Sequence, residues 1–283
     1  MRIRATVAAV SGALVLSAFA VPAAQAADAP SGKAAFGAAT ADGPATAAAT
    51  LNVTFSKVKV NSGKAVVVGA TAKVAIPVTY TVTHAASLDV SADNFASGPL
   101  IYRGSSVTTP TNELISDDPG TCTAASTTVL NCKGTIYIRP SDGDVANADA
   151  GTWKAGGLAI TSDGALKTQG DQGNVPVTRL AKLTVNAAPE PVKKGKTITV
   201  TGKLTRANWE TNTYAGYSTQ PVKLQFRKKN STTYTTVKTI KTTTNGSLKT
   251  TVKATVDGYF RYAFAGTSTT SPVNATGDYV DVK

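Results

Sequence analysis

The sequence predicts an all-β protein made of two β-sandwich domains in tandem. Three observations carry that reading. After residue 50 the chain is dominated by Thr, Val, Gly, Ser and Asn, which suit pleated strands and turns better than helices. Apolar residues there alternate with polar ones, and Val74, Ile76, Val78, Tyr80 and Val82 hold strict period two. Clusters of Gly, Pro, Asn and Asp interrupt the alternation about every ten residues, and no stretch sustains a 3.6-residue period. At 283 residues, 42% of them hydrophobic and 16% charged, the chain is long enough for two ordinary domains and apolar enough to bury their cores.

The first 26 residues read as a signal peptide. Arg2 and Arg4 form a positive start, Ala5 to Val21 carry no charge, and Pro22 precedes the small-x-small site Ala24-Gln25-Ala26. The uncharged run is shorter than the ~20 residues a spanning helix needs, and no later run matches it, so the mature chain is expected to be secreted with no transmembrane segment. Residues 27–50 are rich in Ala, Gly, Thr and Pro with three charges, Asp28, Lys33 and Asp42, a composition expected of a flexible leader.

Residues 51–187 are expected to form the first sandwich. Leu51, Val53, Phe55, Val58 and Val60 open it; Ile136 and Ile138 continue the alternation, and Leu180, Leu183 and Val185 follow it more loosely. Cys122 and Cys132 bracket a short loop, and in an oxidising compartment they are expected to form a disulfide, worth about 2–3 kcal/mol by loop closure. A redox or metal pair would need C-x-x-C spacing, which is missing. Pro189 and Pro191 bracket Glu190 ahead of the charged turn Lys193-Lys194-Gly195, which places the domain boundary at 187/188.

Charge is unevenly divided. Residues 27–182 carry 12 basic and 12 acidic side chains, whereas residues 183–283 carry 15 and 5, so nearly the whole +12 of the chain lies on its last hundred residues. In residues 188–283 strands are expected at Lys196–Gly202, Pro221–Phe226, Tyr234–Thr239, Leu248–Ala254, Gly258–Gly266 and Asp278–Val282, with Leu183–Val185 before them. Asn245-Gly246 supplies the positive φ of a tight hairpin, and Tyr259 and Tyr262 fall on opposite faces of one strand. The pieces Thr199-Val200-Thr201-Gly202-Lys203-Leu204, Pro221-Val222-Lys223-Leu224-Gln225-Phe226-Arg227, Asn245-Gly246-Ser247-Leu248, Asp257-Gly258-Tyr259-Phe260-Arg261-Tyr262 and Tyr279-Val280-Asp281-Val282 together resemble the bacterial immunoglobulin-like domains of secreted actinomycete proteins. The resemblance implies an immunoglobulin-like second sandwich over about a third of the chain. For function it implies little, since such sandwiches are scaffolds.

Catalytic motifs are scarce. Gly195-Lys196-Thr197 ends like a phosphate-binding loop, but Glu190 stands where that motif needs glycine and a strand is expected afterwards, so it reads as a turn. The one histidine, His84, ends the Val78–Val82 strand; there is no G-x-S-x-G, and His84 is expected to be a partly exposed strand-end residue. Paired carboxylates could do hydrolytic chemistry only if the fold gathers them in a cleft. The acidic loop with Asp142, Asp144, Asn147 and Asp149 offers hard oxygen ligands for calcium, against the plainer reading of turn residues. Trp209, Tyr214 and Tyr217 lie between two expected strands, where they would either stack on a glycan or fold over the sandwich end; Trp153 invites the same question.

The basic excess is the strongest lead. Its densest clusters are Lys193, Lys194 and Lys196, and Arg227, Lys228 and Lys229. They would hold an anionic cell-wall polymer or matrix component, or else keep strand edges soluble. Sequence-specific nucleic-acid recognition is not expected, because no helix is available for a groove. The sequence is therefore read as a secreted, non-enzymatic structural or adhesive protein that needs no cofactor. The alternative is an extracellular ligand-binding module, with calcium at the acidic loop or a glycan at the aromatic one.

Overall fold

The computed structural model describes residues 32–42 and 50–283. The expected signal peptide, with Arg2, Arg4 and Ala24–Ala26, lies outside the described residues. From residue 50 onward the chain is all-β, as two stacked sandwiches.

The first sandwich contains β1 (Val53–Val60), β2 (Val66–Val68), β3 (Val74–His84), β4 (Phe95–Arg103) and β5 (Asn112–Ile115). It continues with β6 (Thr121–Ser126), β7 (Val129–Ile138), β8 (Gly151–Thr161), β9 (Leu166–Gln169) and β10 (Asn174–Arg179). One sheet runs β1-β3-β7-β6; the other runs β2-β10-β8-β4-β5, with β9 also on β8. Period two decides which side chains meet between them. Phe55, Ile76, Val78, Val82, Ile136 and Ile138 project from the first sheet and Trp153, Ala155, Ala159, Val175 and Val177 from the second, all buried. Tyr80 crosses the gap, its hydroxyl bonding the Ser97 carbonyl at 3.0 Å, and burial pushes its pKa up to about 12. Cys122 and Cys132 face each other on β6 and β7 and are joined by the expected disulfide.

The leader differs from expectation. Its residues Gly32–Asp42 form a helix, α1, that lies on the outer face of the second sheet. Phe36, completely buried, sits with Ala35 among Ala96, Leu100, Tyr102, Leu158 and Ile160. Gly98 makes the seat, since a Cβ there would collide with the Phe36 ring. One aromatic residue thus anchors a segment whose composition reads as loose.

The second sandwich contains β11 (Ala181–Leu183), β12 (Asn186–Ala188), β13 (Thr197–Asn208), β14 (Thr213–Gly216) and β15 (Pro221–Lys228). It ends with β16 (Thr235–Lys241), β17 (Ser247–Lys253), β18 (Gly258–Phe264), β19 (Val273–Asn274) and β20 (Asp278–Val280). The long β13 pairs with β11, β12, β14 and β17; the facing sheet runs β16-β15-β18-β19, with β20 also on β18. Ile198, Val200, Leu204 and Leu248 pack against Val222, Leu224, Phe260 and Phe264. Tyr262 ties the sheets together, its hydroxyl donating to the Val200 carbonyl at 2.9 Å.

The boundary also moves. Ala181, Leu183 and Ala187 belong to the second core, and β11 and β12 pair with β13, so the second sandwich starts near residue 181 rather than 188. Only Leu180 separates β10 from β11, and it is bonded on both sides: its N–H to Val68 O and its carbonyl to Ala207 N–H, each at 2.8 Å. The Pro189 and Pro191 segment is a turn inside the second sandwich. Trp209, 2% exposed, fills the junction and donates its indole N–H to Gly69 O at 2.9 Å. Beside it the buried Arg179 donates Nε–H to Ala207 O, and burial lowers its pKa to about 10.

Candidate polyanion-binding site

β13 runs from Thr197 toward Asn208 at the junction, so the ends of β15 and β17 and the start of β18 meet at the opposite pole of the second sandwich. The turn before β13 is bound there by its backbone. Lys194 N–H bonds Lys283 O at 2.8 Å, and Gly195 N–H bonds Ala254 O at 2.7 Å. The turn after β15 is fixed by Lys229 N–H to Asp257 O at 3.0 Å. These bonds bring the two sequence clusters together. Lys194, Lys228 and Lys229 line one cleft of about 430 Å³ with Lys283, Asn230 and the Thr255–Asp257 segment.

The cleft is electropositive: although Lys283 Nζ lies 3.8 Å from Asp281, four lysines face one lining carboxylate, Asp257. That carboxylate is already occupied: Oδ1 accepts from Val282 N–H at 2.9 Å and Oδ2 from the Tyr279 hydroxyl at 3.2 Å, which together hold Asp257 below the usual carboxylate range. Lys229 lies 3.9 Å from Asp257, and the Tyr279 hydroxyl beside it holds its ammonium above the usual range. Among the described residues Lys194 and Lys228 have no carboxylate within ion-pair distance, and both are exposed. Unpaired ammonium groups around a concave wall concentrate anions there.

The other expected residues are placed elsewhere. Lys193 and Lys196 are exposed on the same turn without lining the cleft, and Arg227 lies on the sheet face. Gly195 takes the positive φ of a turn entering β13, as expected. Lys283 and Asp257 were not singled out from the sequence, because each is isolated along the chain and joins the cleft only through pairing.

The acidic loop is not gathered for a cation. Asp144 accepts from Arg139 N–H at 2.7 Å, and Asp149 accepts from Ala146 N–H at 2.8 Å and Asn112 Nδ2 at 2.9 Å. Asn147 reaches across the junction, donating to Asn208 Oδ1 and Glu210 Oε2, both at 2.8 Å, and accepting from Trp209 N–H. These groups act as loop braces and a latch between domains. No group of three or more acidic, His or Cys side chains converges as a metal site among the described residues.

The aromatic trio forms no platform either. Trp209 is buried, Tyr214 lies on β14 with Lys182 Nζ 3.6 Å from its ring centre, and Tyr217 is covered by Arg206 at 4.0 Å and packs edge-on against Phe264. Trp153 is fully buried in the first core. His84 is buried rather than partly exposed, its Nδ1 2.9 Å from Ala85 O. A second cleft, of about 410 Å³ in the first sandwich, does bring Glu113, Asp117 and Asp144 around Arg139. Asp117 and Asp144 both engage that guanidinium, leaving Glu113 as the one carboxyl there without it, and burial raises the Glu113 pKa.

No protein-family model matches the chain, and no curated protein matches it. Solved structures do align with it. The D00-D0 domain of intimin shares 13% identity over 79% of this chain and 98% of its own, at a TM-score of 0.27. The adhesin InvE of Yersinia pseudotuberculosis shares 14% over 81% of this chain and 58% of its own, at 0.26. Dimeric latent PorU from Porphyromonas gingivalis shares 10% over 81% of this chain, at 0.27; this chain spans only 20% of its length. At such scores the superpositions add nothing to the sandwich architecture visible in the sheets themselves.

Proposed function

We propose that this chain is a secreted, non-enzymatic adhesive or structural module that holds an anionic cell-wall polymer or matrix component at the far pole of its second domain. The observation that carries the reading is the convergence of Lys194 with Lys228 and Lys229 on one cleft, although more than thirty residues separate the clusters in sequence. The signal-like first 26 residues and the disulfide favour work outside the cell. Contact through such lysines is screened over a Debye length of about 8 Å at physiological salt, so binding should fall steeply as salt rises.

The test is retention of residues 27–283 on purified cell walls across a salt series, beside the triple variant K194A/K228A/K229A. The parent should be retained at low salt and released at high salt, and the variant should be released earlier. Equal retention of parent and variant would remove the proposal.

A further inference from the structure

The outward face of the β16-β15-β18 sheet carries an arrangement that the lysine clusters do not explain. Register places Arg227 opposite Tyr259, Gln225 opposite Arg261, and Tyr259 opposite Tyr279. Tyr234, from the turn before β16, folds onto the same face over Gly277, where a Cβ would strike its hydroxyl. The result is a stacked ladder. The Tyr279 and Tyr259 rings lie 5.1 Å apart, and the Arg227 guanidinium is 3.7 Å from the Tyr259 centre and 5.4 Å from that of Tyr234. Arg261 covers Tyr234 at 3.8 Å.

The guanidiniums are held but not neutralised. Arg227 donates through Nη1 to Ser231 O at 2.9 Å, and Arg261 through Nε to Gln225 Oε1 at 2.9 Å. Among the described residues neither has a carboxylate within ion-pair distance. Each therefore keeps a free two-nitrogen edge, Nε with Nη2 on Arg227 and Nη1 with Nη2 on Arg261, in the fork geometry that grips two oxygens of one oxyanion. Both approach the Tyr234 ring, so their central carbons lie within about 9 Å of each other. The rings themselves are covered by guanidinium or by each other, which leaves the forks, not the aromatic faces, to meet a ligand.

We infer that this face is a second oxyanion site, in which Arg227 and Arg261 grip neighbouring phosphate or sulfate esters of one polymer. It rests on the polyanion reading above and extends it from the pole onto the sheet, with Lys229, 5.5 Å from the Tyr279 ring, standing between the two. Stacking pre-orders both forks, so little side-chain freedom is lost on binding.

The test is calorimetric titration of the mature chain with poly(glycerol phosphate) and with heparin, which separates the phosphate-ester from the sulfate-ester source, and with polyglutamate as a carboxylate control. R227K/R261K keeps the charge but removes both forks, and should weaken binding of the preferred ester polymer about tenfold or more. K194A/K228A/K229A should instead flatten the salt dependence while the Arg-dependent selectivity over polyglutamate persists. Unchanged affinity in R227K/R261K, with melting temperature and circular dichroism intact, would overturn the ladder site; if the lysine variant still lost binding, the cleft would stand alone. Loss confined to R227K/R261K would leave the ladder and remove the cleft. Polyglutamate bound as tightly as either ester polymer would overturn the ligand class.

Discussion

Replacing Trp209 by Ala tests whether a residue of the second sandwich completes the core of the first. Trp209 follows the last strand residue of β13 in the second sandwich, yet its ring is 2% exposed and belongs to the core of the first, among residues such as Val66, Val68 and Ala70. Truncating a buried Trp costs about 3–5 kcal/mol, and the Gly69 carbonyl loses its indole donor, worth about a further 1 kcal/mol. A first sandwich of roughly 130 residues unfolds with an entropy of about 2.1 cal/mol/K per residue, so this loss lowers its melting temperature by roughly 15–22 °C. Differential scanning calorimetry reads it directly. In W209A the first-sandwich transition should fall by that amount while the second moves little, because Trp209 contributes nothing to the Ile198, Val222 and Tyr262 core. W209F, which keeps a ring but loses the N–H, should fall less. A first-sandwich shift below about 3 °C, or equal falls in both transitions, would refute the assignment of this ring to the first core.

Three further outcomes are expected. C122S/C132S should lower first-sandwich stability by about 2–3 kcal/mol, read as a lower urea midpoint with no change in the second transition. F36A should release α1 without unfolding the sheet beneath it, seen as new protease cleavage within residues 32–42 while the circular dichroism of the sandwiches is retained. Glu113 has a folded pKa raised by burial, so the folded state holds its proton more tightly than the unfolded one, and stability falls as pH rises from the ordinary Glu range through the folded value. E113Q should remove that fall and raise stability at pH 7; since the group is partly exposed, the gain should stay below about 1 kcal/mol, and an unchanged profile between pH 4 and 7 would contradict it.

Much of the fold was legible because period two is a local signal. The run Val74 to Val82 became β3, and Pro221–Phe226, Leu248–Ala254 and Gly258–Gly266 each became a strand within a few residues, whereas Lys196–Gly202 proved to be only the first half of β13, which runs on to Asn208. What escaped was decided by partners far along the chain. Pro189 and Pro191 look like a joint, whereas the true crossing needs only Leu180, because Val68 and Ala207 take both of its backbone groups. Within the Ala-rich leader, Gly32–Asp42 is helical and docks where Phe36 fills the gap over Gly98, a vacancy no local pattern reveals. Trp209 looks like a loop aromatic, and Asn147 like a calcium ligand, until the second domain is placed against the first; Asp149 is taken up within its own domain, by Ala146 N–H and Asn112. The lysine clusters were readable as charge, but their convergence was not. The Arg227 and Arg261 pair was invisible for the same reason: alternation gives the face each residue occupies, but only register on neighbouring strands brings both near Tyr234.

The placement of charge follows from the same junction. The first sandwich is electrically balanced over residues 27–182, and it meets the second through an apolar ring, a buried Arg179 and side-chain amide bonds rather than through the basic surface. β13 spans twelve residues between the junction and the lysine pole, about 36 Å at the usual strand rise. That is several Debye lengths at physiological salt, so the carboxylates of the first sandwich neither neutralise the pole nor compete with an anion there. For the anion binding proposed above, a neighbour that is closely joined, neutral and distant leaves the field of the pole intact. The short Leu180 crossing with Trp209 supplies the first condition, the balanced charge the second and the length of β13 the third. Changes at the junction should therefore alter stability while leaving the salt dependence of binding unchanged, and changes at the pole should do the reverse.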